Sequence, residues 1–293
     1  MTAVLKILVY LAATLFLGVF AAPLLYWAGQ HASGIRNLHF LAEADFQRFF
    51  NRSILISAFV LLIPMFRWIG LQRFKNLGIT KNRPRLLFGG FLLSVGVMIG
   101  LEVCLLAFRV FEFKEIPSWH LLPRILLSSV IVALLEELLF RGTILGLARQ
   151  SFSPLPSALF ASALFSMVHL LKPAEEKIQE VHWYSGFEIL PHVFHQFAEP
   201  LMVLSKFTTL VILGLMLAHA TLRTQSLWLP IGIHAGLIFS KMGFNKVTKR
   251  LQETMPWFGS DITIGIGSVL ILLFLWFLIW LFFLHGSTDS TSS

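Results

Sequence analysis

Apolar residues in this chain run in long unbroken stretches rather than alternating with polar ones. Eight such stretches stand out, at 3–28, 54–69, 86–108, 121–147, 157–171, 201–222, 227–240 and 262–284. In a bilayer every backbone N–H and C=O must find its partner inside the protein, which leaves helices or a closed barrel. Barrel strands would alternate apolar and polar residues over about ten positions. These stretches are continuous and rich in Leu and Phe. They predict an all-α fold, a polytopic transmembrane helix bundle of about eight spans.

The first stretch has a single early cation, Lys6, and its Ala21-Ala22 pair runs into Pro23. That is a poor cleavage context, so it reads as a retained span and not as a signal peptide. Residues 30–52 are polar and aromatic and read as interfacial. The 54–69 span is short and contains Pro64, but Arg52 and Arg67 can snorkel to lengthen it. Residues 172–199, after the fifth span, read as a second interfacial segment. Residues 241–260 form a basic linker with Trp257 as an interface anchor, and the Ser/Thr-rich tail from 286 reads as disordered. The chain thus divides into N-terminal spans with a basic loop (1–115), a core that carries the chemistry (116–242), and a linker, last span and tail (243–293), within one membrane domain.

Composition agrees: of 293 residues, 56% are hydrophobic and 13% charged, and the mean hydropathy is +0.78. The net charge of +8 does not point to nucleic acid, because the cations lie between apolar runs. Arg67, Arg73, Lys75, Lys81, Arg83 and Arg85 cluster with no acid among them. By the positive-inside rule that loop is cytoplasmic. Eight spans then place both termini in the cytoplasm, and a bacterial inner (plasma) membrane is the expected setting. Lys241, Lys246, Lys249 and Arg250 then fall outside, against the rule. The single Cys104 excludes an internal disulfide.

Charges at mid-span are costly, at about 2.5–3.5 kcal/mol each on translocon scales. The fourth span nevertheless holds Glu136, Glu137 and Arg141. Glu137 and Arg141 are four residues apart, share a helix face and can pair. Glu136 sits about 100° round the helix, away from that cation. A buried carboxylate without a cation is a competent general base near neutral pH. The bland alternative is that all three only join helices. His169 closes the fifth span, four residues after Phe165, whose ring can pack beside the imidazole. His234 lies in the seventh span between Gly232 and Gly236, small residues that allow close backbone approach. Either histidine alone reads as a satisfied core group. Together, Glu136, His169 and His234 can meet at mid-bilayer, where they could hold a divalent metal such as zinc, or hold a water directly.

The run Glu136-Glu137-Leu138-Leu139-Phe140-Arg141 resembles the E-E-x-x-x-R motif of the CPBP family, which includes type II CAAX prenyl endopeptidases and bacteriocin-processing or self-immunity (Abi) proteins. Phe165 to His169 resembles its F-x-x-x-H motif. Gly214, Leu217, Arg223-Thr224, Ser226-Leu227-Trp228, Pro230 and His234 resemble the segment leading to its last histidine. The match covers about 120–240. The resemblance implies glutamate-dependent hydrolysis of a membrane protein or peptide substrate within the bilayer. Glu136 and His169 would activate water, Glu137 and Arg141 would support them, and His234 would orient water or stabilise the oxyanion. The family often has a polar residue four after that histidine; here it is Ile238, which removes an oxyanion donor, with Ser240 or Asn245 as stand-ins. A proton-coupled transporter using Glu136 and His169 as a relay and a catalytically inactive family member are the alternatives.

Three further features are weaker. His192 and His195, near Glu188, have metal-ligand spacing but sit in an aromatic segment that reads as a lid. His219 reads as structural. Glu102, a lone acid in the third span, lines the cavity of the Glu136 site or pairs with Arg109, and the bland structural reading is preferred. H-E-x-x-H, G-x-S-x-G and P-loop motifs are absent.

Overall fold

The structure, a computed structural model, describes residues 3–35, 41–69, 83–114, 121–171, 178, 180–259 and 261–285. Most of the basic loop at 71–85, part of the 172–199 segment and the tail from 286 lie outside the described residues. In chain order the elements are α1 Ala3–Ala32, α2 Phe46–Ile69, α3 Pro84–Ala107, β1 Phe111–Phe113 and α4 Leu121–Glu137. After π-helical turns at Leu138–Ile144 come α5 Leu145–Ala148, α6 Pro154–Leu170 and α7 Ser185–Ile189. A 3-10 helix, Leu190–Ala198, leads to α8 Pro200–Thr224, α9 Trp228–Val247, β2 Thr248–Arg250 and α10 Ile266–Ile279, which continues in π turns to Leu284.

Five helices are long and apolar enough to cross a membrane: α1, α2, α3, α8 and α10 with its continuation. The other three expected spans correspond to α4 with its π turns, the 17-residue α6, and α9. Two boundaries move. Within the segment expected to be interfacial over 30–52, residues 30–32 close α1 and residues 46–52 form the first turns of α2, while 36–40 lie outside the described residues. Phe46, Phe49 and Phe50 are buried there while Arg48, Asn51 and Arg52 stay exposed, so an amphipathic turn carries the helix past its apolar stretch. The seventh helix runs on to Val247, because Thr248 turns extended to enter a strand.

The chain folds into two compact units, Met1–Gln72 with Val168–Val203, and Arg73–Met167 with Leu204–Ser293. In the first, α1 and α2 pack closely. Gly18 leaves no room for a Cβ against Ile54, and Ser53 Oγ donates to the Gly18 carbonyl at 2.7 Å. Tyr26 meets Phe46 and Phe49 edge-on. Ile189 and Val193 join Val19, Ala22, Phe46 and Phe50 in one buried cluster. Phe194, Phe197, His192 and His195 are exposed.

In the second unit α3 lies along α9. A Cβ at Gly232 would collide with the Leu87 carbonyl, and one at Gly236 with Phe91 and Ser94. Small residues let two backbones approach, as in membrane helix pairs generally. Beyond the ends of α3 and α9, β1 and β2 form an antiparallel ribbon that the all-α expectation did not contain. Glu112 faces Lys249 across it at 2.7 Å, and the Arg250 guanidinium lies over the Phe111 ring. Lys241 pairs with Asp261 at 2.7 Å.

Candidate active site

α4 ends on Glu136 and Glu137, and the helix then widens into π turns. Such turns re-aim side chains and recur at functional sites. Arg141 lies inside them, yet the four-residue spacing still brings it to Glu137. Its Nη1 donates to Glu137 Oε1 at 2.8 Å, the pairing expected from the sequence. Both groups are buried, with side-chain exposures of 2% and 0%. Arg141 Nη2 donates to the Gly214 carbonyl on α8 at 3.4 Å. Gly214 fits there because a Cβ would run into Ser162 of α6. The guanidinium also lies 4.6 Å from the centroid of the fully buried Phe165 ring, a cation–π contact that complements the ion pair.

His234 completes the group from α9. Gly232 and Gly236 turn one face of α9 to α3, and His234 lies on the opposite face. Its Nδ1 is 2.8 Å from Glu137 Oε1, and its Nε2 is 3.7 Å from Glu136 Oε2. The Phe165 ring packs edge-on to the imidazole at 5.9 Å and to Phe140 at 5.0 Å. A neutral imidazole that donates from Nδ1 to a carboxylate presents Nε2 as an acceptor. In that tautomer the open ring nitrogen faces Glu136.

The two carboxylates differ in surroundings. Glu137 is completely enclosed, and its Oε1 is shared by Arg141 and His234; its Oε2 has no hydrogen-bond partner among the described residues. Glu136 keeps 18% of its side chain exposed, although Oε2, the oxygen toward His234, is itself shut off from solvent. One acid is held inside the packing and the other reaches accessible space.

The structure therefore brings together Glu136, Glu137, Arg141, Phe165 and His234. His169 is in the last turn of α6, past Met167, and belongs to the other compact unit. Ser240, an expected oxyanion stand-in, instead lines a separate cavity with Glu102, and Asn245 is exposed near the end of α9. Glu102 makes no ion pair with Arg109. The bond from Glu137 to His234 is the feature that sequence reasoning missed. The two residues are 97 positions apart, and no spacing rule links them.

The donor set does not fit the zinc site considered from sequence. Among the described residues no three His, Cys, Asp or Glu side chains are gathered to hold a metal ion, so Glu136, His169 and His234 do not form such a group.

Residues 118–240 match the family model for type II CAAX prenyl endopeptidase Rce1-like proteins. No curated protein and no solved structure matches the chain. The matched region contains every residue of the group around Glu137, and the apolar helices make the chain an integral membrane protein. With Glu-Glu-x-x-x-Arg at the end of α4 and its π turns and the histidine of α9 inside the matched segment, residues 118–240 are a region similar to the Rce1-like type II CAAX prenyl endopeptidases.

Proposed function

We propose that this protein is an intramembrane endopeptidase that hydrolyses a peptide bond of a membrane-associated protein or peptide, with Glu136 as the general base. The observation that carries the reading is the pairing of a partly exposed carboxylate with an imidazole already oriented by a second, buried one. Glu136 Oε2 and His234 Nε2, 3.7 Å apart, can both accept from one water. That water offers one O–H to each and keeps a lone pair for the scissile carbonyl. As the C–O bond forms, Glu136 takes a proton. As the C–N bond breaks, Glu136 returns it to the leaving nitrogen. The residues present do not favour a metal, so no step is routed through one.

Glu137 and Arg141 act here as positioning residues. Their charges offset one another, and Glu137 fixes the imidazole tautomer from the far side, as outer carboxylates commonly do for functional histidines. Ile238 leaves no polar side chain one helical turn after His234. The role of His169 rests on its F-x-x-x-H motif alone. The setting proposed with this activity is a bacterial plasma membrane, with about eight spans and both termini cytoplasmic, supported by the cation cluster at 67–85.

The test is cleavage of a library of membrane-anchored peptides by the purified protein in lipid nanodiscs. General-base removal in Glu136→Gln is expected to lower the rate about 10²–10⁴-fold. His169→Ala is expected to fall as well. Unchanged cleavage by Glu136→Gln would end the assignment.

A further inference from the structure

A second polar pair lies apart from the Glu136 group, in a cavity of about 380 Å³ between α3, α4 and α9. Its walls are apolar, with Val95 and Ile99 from α3, Leu122 and Ile125 from α4, and Phe239 from α9. Into this lining come Glu102 and Ser240. Glu102 Oε1 and Ser240 Oγ are both shut off from solvent and have no hydrogen-bond partner among the described residues. Ser240 as a whole is only 6% exposed.

Leaving such atoms unpaired in an apolar environment is costly, and an ionisable residue within a membrane helix marks a functional site by default. Glu102 Oε1 and Ser240 Oγ line one cavity, and each has lone pairs that accept from no donor among the described residues. A primary ammonium supplies up to three N–H donors and the charge that a carboxylate needs. Lys246 lines the same cavity from an exposed position and makes no ion pair there among the described residues. The route of entry selects the rest of the ligand. Ile99, Val103 and Leu122 belong to the lining and are 50%, 57% and 40% exposed, so the cavity opens through an apolar surface. A ligand that arrives that way comes from the hydrocarbon and carries an apolar stem.

We infer that this cavity binds a primary ammonium group on an apolar stem, with Glu102 and Ser240 as its acceptors. This site is independent of the hydrolytic reading. It shares α4 and α9 with the Glu136 group but none of its residues.

The experiment uses the full chain in nanodiscs of phosphatidylcholine, which has no primary amine, and radiolabelled decylamine as the probe. Wild-type protein is expected to bind one decylamine per chain saturably, with decanol competing at least tenfold more weakly. Glu102→Gln is expected to weaken binding at least tenfold and Ser240→Ala several-fold, while Glu253→Gln, an acid elsewhere, leaves it unchanged. Ile99→Trp, which fills the cavity while keeping both polar residues in the sequence, is expected to abolish binding if Glu102→Gln proves unstable. Replacing choline lipid with ethanolamine lipid distinguishes the sources: competition identifies the lipid headgroup, an unmoved isotherm identifies a free amine, and both support an ammonium site. Absence of saturable binding, equal competition by decanol, or wild-type affinity in both Glu102→Gln and Ile99→Trp overturns the inference.

Discussion

Glu137 Oε1 and His234 Nδ1 lie 2.8 Å apart, joining α4 to α9 across 97 residues of chain. The same oxygen accepts from Arg141, so one buried carboxylate holds a cation and an imidazole at once. This arrangement separates the duties of two adjacent acids. Glu136→Gln is expected to lose cleavage while keeping its melting temperature, because Glu136 is partly exposed and outside the Arg141 pair. Glu137→Gln is expected to lose both, since it removes the carboxylate that is ion-paired with the buried Arg141 guanidinium, at about 3–5 kcal/mol. Thermal unfolding in nanodiscs beside the cleavage assay reads the split; equal stability loss in the two variants would contradict it.

Arg141→Lys is expected to be a poor replacement. The guanidinium reaches Glu137 and the Gly214 carbonyl with different nitrogens while lying over the Phe165 ring. A lysine offers one point charge and no plane to stack. The variant should unfold earlier than wild type, and Phe165→Leu should lose about 0.5–2 kcal/mol of cation–π attraction on top of its packing. In a double-mutant cycle the two changes should couple; strict additivity would show that Phe165 does not act through Arg141.

Gly232→Ala and Gly236→Ala probe the α3–α9 contact. The new Cβ would meet the Leu87 carbonyl in one case and Phe91 and Ser94 in the other. Overpacking of this kind typically costs about 1–3 kcal/mol. It should also displace His234, between the two glycines, so cleavage should fall along with the melting temperature. Gly96→Ala is the control, because a Cβ there meets nothing within 4 Å. Wild-type stability in Gly232→Ala would mean that the helices have room to separate.

Asp261, in the loop before α10, sets a pH dependence. Burial alone would raise its carboxyl, but the Lys241 ammonium, with hydrogen bonds from Lys241 and Thr263, outweighs this and holds it below the ordinary value of 3.8. A depressed folded-state value means that the native protein binds its proton later than the unfolded chain does. The pair's contribution is therefore present in full above the ordinary carboxylate range and is lost as pH falls through the lowered value. Acid unfolding of Asp261→Asn should begin from a lower stability at neutral pH and show a shallower decline below about pH 4. A decline as steep as wild type's would show that other carboxylates govern it.

Much of this protein is decided locally, and those parts can be read from the chain. Apolar runs of span length must be helical in a bilayer, because the backbone has nowhere else to place its hydrogen bonds. Glu137 and Arg141 meet because four residues of helix put them on one face, and that holds even through the π turns. The flanking glycines of His234 announce a close helix neighbour, although not which one. What tertiary structure decided is everything that depends on two distant segments arriving together. The Glu137–His234 bond needs α4 against α9. The ribbon of Phe111–Phe113 with Thr248–Arg250 is too short to leave a periodic signal and exists only because α3 and α9 end side by side. Ser240, read from sequence as a donor for the Glu136 site, lines another cavity that Glu102 also lines, because a position six residues past His234 lies about 240° further round the helix. Local hydrogen-bond geometry and water exclusion fix the helices; which faces meet depends on side-chain fit across the whole bundle, and no window of sequence contains that information.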